Sequence, residues 1–402
     1  MAYALAQSQY LPSKTRIPNS VGLALSGGGF RATLFHLGAI RRMNELGILG
    51  KVTTVSSVSG GSILNGFLAS RLPGPLAASI VDFHNSVSKP VWRFCSLDIR
   101  RWPALERLVP GLDNSTQLAH QYEEHLTNGK LLKDISDPPN HIFCSTDLTY
   151  GVSWMFKKRE CGDYETGFQA TSPDWKLSTA VAASSCFPPV FKPLKFGLDP
   201  TQLIGGKAKP GPLRDASIQG MTFSDGGVYD NLGLEPIWKD HEIVLCSDGG
   251  ALFPTGGDTG FAWEIGRFVS IPENQALALR KRWLISNFIA KNLQGTYWGI
   301  GSTAYGYGVN QGYSEDLTKN FIAAIRTDLD SFSEAEASVL ENHGYWLVDA
   351  AIQVHVPGLL PPTIPPLQVP NPGWSGPEDK IKDALRDSAK RTLLGRGSDS
   401  SD

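Results

Sequence analysis

Val21-Gly22-Leu23-Ala24-Leu25-Ser26-Gly27-Gly28-Gly29-Phe30-Arg31-Ala32 is a short apolar run that stops in three adjacent glycines and then continues at helical spacing to Leu46. It reads as strand, glycine loop, helix. Val52 to Ser57 is β-branched and runs into Ser59-Gly60-Gly61, after which Ile63 to Leu72 reads as a second helix. The unit repeats, which predicts an α/β fold with a mainly parallel central sheet flanked by helices in three layers.

Working outward, His141 to Thr146 and Ser153 to Phe156 read as further strands, and Lys176 to Ala183 as a short helix stopped by Pro188 and Pro189. Thr222 to Gly227 is a strand end running into a turn, and Ile243 to Ser247 is another buried strand. Asp82 to Gln121 gives no clean period and is assigned to helices and loops over the site. Gly295 to Gly312 is rich in glycine and aromatics, again without a period. Ser333 to Val354 reads as a helix, opened by the capping sequence Ser333-Glu334-Ala335-Glu336. Seven prolines between Pro357 and Pro372 suggest an extended linker. The division expected is a lead over residues 1–20, a catalytic domain over 21–355, a proline-rich linker over 356–376, and a last helix and disordered tail over 377–402. In that last part Ile381, Leu385 and Leu393 share one side of the helix, and Ser398 to Asp402 form the tail.

The chain has 402 residues, 41% hydrophobic and 19% charged, the balance of a folded globular protein. A formal net charge of −2 supplies no global positive field, so DNA or RNA is not an expected partner. Five cysteines, an odd number with no CxxC pair, suggest neither a disulfide framework nor a zinc site, and fit a reducing cytoplasm. No window approaches a membrane span, and Met1 to Arg16 lacks the pattern of a signal peptide. Contact with the inner face of a membrane would be peripheral.

Three constellations carry chemistry. Ser57-Val58-Ser59-Gly60-Gly61 places a serine at the apex of a strand-to-helix turn, where a nucleophile projects from the sheet and its neighbours must be small. Ser59 is also a residue type that merely caps helices. Gly27-Gly28-Gly29 with Arg31 lies at a helix start, where successive amides form a concavity for an oxyanion. Ser224-Asp225-Gly226-Gly227 ends a strand with a carboxylate, and a buried carboxylate beside a serine hydroxyl accepts its proton without a histidine. Ser247-Asp248-Gly249-Gly250 has the same local sequence and is its rival.

In this order the motifs resemble the patatin-like phospholipases and their relatives among the cytosolic phospholipase A enzymes. The resemblance covers Val21 to Ser247. It implies the patatin-like three-layer fold, Ser59 as nucleophile, Asp225 as the dyad's base, and Gly27, Gly28, Gly29 and the Arg31 neighbourhood as the oxyanion hole. Gly60, Gly61, Gly226 and Gly227 support the two turns. Ala32 stands where the family's motif ends in glycine. Ser184-Ser185-Cys186-Phe187-Pro188-Pro189 is similar to the family's small-residue and proline segment ahead of the catalytic aspartate, which favours Asp225 over Asp248. The substrate implied is a phospholipid or another acyl-ester lipid, with no cofactor and no metal. The resemblance also leaves room for a homo-oligomer and for gating by a regulatory nucleotide, as in effectors of bacterial antiphage defence.

Two other chemistries are open to the same residues. Gly27-x-Gly29-x-x-Ala32 fits a dinucleotide fingerprint of an oxidoreductase, but Val52 to Ser57 lacks the acidic residue that would hold the ribose. A triad of Ser59, Asp225 and His343 would need His343 on a loop, and it falls within a helical segment. His36, one helical turn past the glycine loop, is placed to support it. Trp92, Phe94 and Trp102 among Arg93, Arg100 and Arg101 are residue types that suit a bilayer interface. An active-site-directed fluorophosphonate is expected to label Ser59, read by mass spectrometry of the modified peptide. Labelling that persists in Ser59→Ala would remove the assignment.

Overall fold

The computed structural model describes residues 12–13, 15–71, 80–99, 114–188, 190–253, 261–386, 388, 391–392 and 395–396. The first strand, β1 (Ile17–Leu25), enters through the glycine loop into α1 (Gly29–Glu45). β2 (Thr54–Ser57) enters through Ser59 into α2 (Gly60–Arg71). Then come β3 (Asn140–Asp147), β4 (Val152–Phe156), β5 (Glu160–Asp163), β6 (Gly167–Ala170), α3 (Leu177–Ser185), β7 (Leu194–Lys195), β8 (Ile204–Gly205) and β9 (Thr222–Asp225). β10 (His241–Asp248), α4 (Phe261–Ile289), β11 (Gln294–Gly299), α5 (Glu334–His355) and α6 (Glu378–Leu385) complete the elements used below.

The sheet runs in the order β11-β10-β1-β2-β3-β4-β5-β6-β8. From β11 to β3 every pair is parallel, and from β3 outward every pair is antiparallel. Alternation along the central strands builds the layers. Leu23, Leu25, Val55, Leu245 and Trp298 join the main core with α1, α2 and α5, whereas Ala24, Val244 and Cys246 face Leu234, Leu284 and Leu293 on the other side. Helices therefore cover both faces of the parallel half, as its apolar strands require.

The edge of β3 shared by two strands decides the site. Thr54–Ser57 of β2 pairs with Asn140–Phe143, running parallel. Phe223–Asp225 of β9 pairs with Asp147–Ser145, running antiparallel. β4 occupies the opposite edge over Phe143–Asp147. The two strands thus meet end to end, and the chain leaves β2 at Ser59 close to where β9 delivers Asp225.

Behind this junction α1 packs on α5 at backbone distance. A Cβ on Gly38 would lie 1.8 Å from the Glu341 carbonyl oxygen, and one on Gly344 would lie 1.9 Å from that of Phe35. Arg42 crosses the same contact to Asp349 at 2.8 Å, both side chains buried.

Several expectations are revised. The antiparallel half of the sheet, β11 inside the stretch Gly295 to Gly312, and the long helix α4 were not read from the sequence. The proline-rich segment runs extended but is not a free spacer. Arg42 donates to the Pro365 carbonyl at 2.8 Å, and the Gln368 amide donates to the Tyr345 hydroxyl at 2.9 Å. α6 buries Ile381 and Leu385 in the main core, and Ser314 bonds Glu378 at its start. Phe94 is buried against Phe30 at 5.5 Å rather than offered to a bilayer, and Trp92 packs against the core. Arg100, Arg101, Trp102, Pro189, Leu393 and the tail lie outside the described residues. Gly344→Val should cost about 3 kcal/mol of stability through overpacking. Urea unfolding would measure it, with Gly373→Ala as a neutral control because a Cβ there meets nothing within 4 Å.

Candidate active site

Ser59 is held at φ 50°, a left-handed conformation rare outside glycine. What holds it is specific. Its N–H donates to the Ser184 carbonyl at 3.1 Å, and its own carbonyl accepts from Ile63 at 3.1 Å as α2 begins. A Cβ on Gly60 would lie 2.1 Å from the Gly29 carbonyl oxygen, and one on Gly61 would lie 2.3 Å from that of Leu25. Both supporting glycines are therefore required by close approach, and they bring the elbow against the glycine loop. Ser57, where glycine is usual, is buried, and its hydroxyl donates to the Ile142 carbonyl at 3.0 Å.

Asp225 sits at the end of β9, 1% exposed. Its Oδ1 accepts from the Gly227 N–H at 2.7 Å, while Oδ2 is buried with no hydrogen-bond partner among the described residues. Burial pushes the carboxyl up to about 7. The Ser59 side chain and the Gly227 amide stabilise the anion and hold that rise back, and the Glu273 carboxylate adds to it. The rival Asp248 has the opposite surroundings. Tyr297 donates to it at 2.7 Å, Lys281 pairs with it and the Gly250 amide donates at 2.9 Å. Burial alone would raise this carboxyl too, but Lys281, Tyr297 and Gly250 outweigh it and keep the group below its usual value. Asp248 is a paired structural anion, whereas Asp225 has no cationic partner among the described residues.

The glycine loop divides its amides unequally. The Gly27 N–H is spent on the Asn231 carbonyl at 3.0 Å, and the Ala32 N–H on the Gly28 carbonyl at 3.2 Å. The amides of Gly28 and Gly29 meet no acceptor among the described residues, nor does that of Gly60. Those of Gly28 and Gly29 lie at the N-terminus of α1 and that of Gly60 at the N-terminus of α2, where the helix dipole favours negative charge. Gly28 (φ 138°) and Gly29 (φ 57°) hold conformations that favour glycine. Of the expected set Gly27, Gly28, Gly29, Arg31, the amides of Gly28 and Gly29 are without an acceptor among the described residues, and that of Gly60 joins them. Arg31 is buried, and its guanidinium donates to the carbonyls of Gly249 (3.0 Å), Ala323 (3.0 Å) and Ile325 (2.7 Å). The side chain ties the loop down. Burial lowers its pKa to about 10, with Asp248 opposing.

His36 and His343 are both hydrogen-bonded elsewhere. His36 bonds the Ser247 hydroxyl at 2.7 Å and the Ser26 carbonyl at 3.0 Å, bracing the root of the loop. His343 bonds the Ile300 carbonyl at 2.8 Å from within α5, which leaves no triad with Ser59. A cavity of about 210 Å³ borders Gly227 and is lined by Phe187, Val228, Leu252, Leu277 and Glu273.

The family model described as patatin-like phospholipase matches residues 23–238. The chain belongs to the patatin-like phospholipase family. No curated protein matches it in sequence. Among solved structures it is similar to human GIVD cytosolic phospholipase A2 in complex with methyl gamma-linolenyl fluorophosphonate, at 13% identity and TM-score 0.45, over 87% of this chain and 60% of that one. It is also similar to VipD from Legionella pneumophila, at 12% identity and TM-score 0.38, over 86% and 70% of the two chains. A further structure of the human enzyme matches at 12% identity and TM-score 0.36, over 62% of this chain and 48% of that one, so the match spans about half of that chain's length.

Two positions of this patatin-like domain escaped the sequence reading. The Ser184 carbonyl accepts from both the Ser59 and the Gly226 amides at 3.1 Å, while its hydroxyl donates to Cys144 at 2.6 Å. It pins the two turns to each other, and the small-residue segment Ser184 to Cys186 was its signal. Asn231 holds Gly27, and nothing in the sequence marks it.

The raised carboxyl has two consequences. If Asp225 is the base, kcat should rise with pH through about 7 as it ionises. The folded-state value lies above the unfolded one of about 4, so the folded protein binds the extra proton and loses stability as pH climbs between them. Asp225→Asn should remove that slope, and unfolding midpoints compared at acid and neutral pH would show it.

Proposed function

We propose that the protein is a serine lipid acyl hydrolase of phospholipase A type, cleaving fatty acyl esters of membrane phospholipids through a Ser59–Asp225 dyad. The observation that carries this reading is the buried carboxyl near 7, free at Oδ2, beside a serine held in a strained elbow. A base with that value is half ionised at neutral pH and is still basic enough to take a hydroxyl proton as the hydroxyl attacks.

Asp225 accepts the Ser59 proton while Oγ adds to the ester carbonyl. The Gly28 and Gly29 amides, with Gly60, receive the oxyanion. Collapse expels the lysophospholipid alkoxide, which takes the proton from Asp225 and leaves an acyl-enzyme. Water then adds to the acyl carbon, giving its proton to Asp225. The second collapse returns that proton to Ser59 and releases the fatty acid. The apolar cavity wall of Phe187, Val228, Leu252 and Leu277 suits an acyl chain.

Mass spectrometry of phospholipids incubated with the protein tests this. Wild type should yield free fatty acid and lysophospholipid, and Ser59→Ala neither. Asp225→Asn should lower turnover by roughly 10² to 10⁴. Gly28→Ala should add about 3 kcal/mol to the barrier, the size of one lost oxyanion donor. Asp248→Asn and His343→Ala should change turnover per folded molecule far less. Activity that survives Ser59→Ala, or that vanishes in a folded His343→Ala, would overturn the dyad.

A further inference from the structure

Helix α4 packs Leu284 into a core in its later part, but its earlier part turns polar residues inward. Ser270, Glu273, Asn274 and Leu277, at spacing i, i+3, i+4 and i+7, line the cavity beside Gly227. On the opposite side of the 3.6-residue period, Phe268 and Leu279 face solvent with 67% and 59% of their surface exposed, flanked by Ile271 with 45% and Val269 with 64%. A surface helix in water shows the reverse arrangement. The cavity rim exposes apolar side chains as well, at Phe187 (44%), Val228 (44%) and Leu252 (48%). A patch of this kind marks a docking surface.

Charge decides between occupants. From Arg267 to Arg282 the sole acid is Glu273, and it lines the cavity. Arg280 and Lys281 turn inward to Asp230 and Asp248. Arg282 stands exposed, and Arg267 lies over the Phe253 ring at 4.0 Å at the other end. An apolar strip bounded by arginines complements an anionic lipid surface, with the aliphatic and aromatic groups in the acyl region and the cations at the headgroups. Among the described residues no helix is long and apolar enough to cross a membrane, so α4 would lie on the surface.

We propose that the Phe268-Val269-Ile271-Leu279 face of α4 docks on an anionic phospholipid bilayer and sets the cavity mouth against it. This rests on the reading of membrane phospholipid as substrate, and names the face that reaches it. It replaces the Trp92–Phe94 segment, whose phenylalanine the core has taken.

Flotation with phosphatidylcholine vesicles, with and without phosphatidylglycerol, tests the face in a Ser59→Ala background, where nothing is hydrolysed. Anionic vesicles should carry the protein up. The combined Phe268→Ser, Val269→Ser, Ile271→Ser variant should bind roughly tenfold less or weaker still, from the lost apolar insertion, at an unchanged unfolding midpoint. Arg282→Glu should weaken binding selectively on the anionic vesicles. With Ser59 restored, the triple variant should hydrolyse a dispersed short-chain ester at the wild-type rate and lose rate on vesicles. Undiminished flotation of the triple variant would overturn the proposal. So would a solution dimer that the triple variant dissolves, since the face would then belong to a second copy. Vesicle binding without any ester hydrolysis by wild type would strike the hydrolase reading and leave the docking face standing.

Discussion

Everything at the site depends on two strands sharing one edge of a third. β2 runs up β3 as far as Phe143, and β9 comes down the same edge to Ser145, so Ser59 and Asp225 are brought together by ladder register rather than by loop conformation. The Ser184 carbonyl, accepting from Ser59 and Gly226 at once, locks the junction. A register slip of one residue would turn each side chain to the opposite face. The geometry is therefore as rigid as the sheet.

That rigidity lets a strained and desolvated arrangement persist. Ser59 at positive φ and Asp225 in a dry setting both cost stability, and both are held by surrounding packing. Asp225 and Asp248 show how local sequence underdetermines chemistry. Each is a buried aspartate before two glycines at the end of a strand. Lys281 and Tyr297 settle Asp248 as an anion, whereas Asp225 has only an amide and the Ser59 side chain to stabilise its charge. Partners far along the chain give the two identical motifs opposite characters.

The glycine loop follows the same logic. Three glycines suggest three donors, but a loop needs anchors as well as free amides. Gly27 is an anchor through Asn231, Arg31 is another through three carbonyls, and His36 braces the strand end. What remains free, Gly28 and Gly29 with Gly60, is the part facing the elbow. α4 borders the cavity with Ser270, Glu273, Asn274 and Leu277, while Phe268, Val269, Ile271 and Leu279 stay exposed.

The amino-acid order alone carries the repeated strand–loop–helix unit, because glycines and helical periodicity are local signals. It marked Ser59, Asp225 and the glycine loop for the same reason: tight turns and close backbone approaches leave no choice of residue. It could not show α4, whose apolar residues lie on both faces and so leave no clean period, nor β11, whose Gly295 and Gly299 read as loop. Nor could it show that the proline segment is strapped to Arg42 and Tyr345, since those bonds span 323 and 23 positions of chain and no local pattern marks either. Which amides are free, which aspartate is left without a counter-ion, and which aromatic is buried were decided by tertiary structure alone. Hydrogen-bond partners and desolvation are set by residues distant in sequence, and no local pattern encodes them.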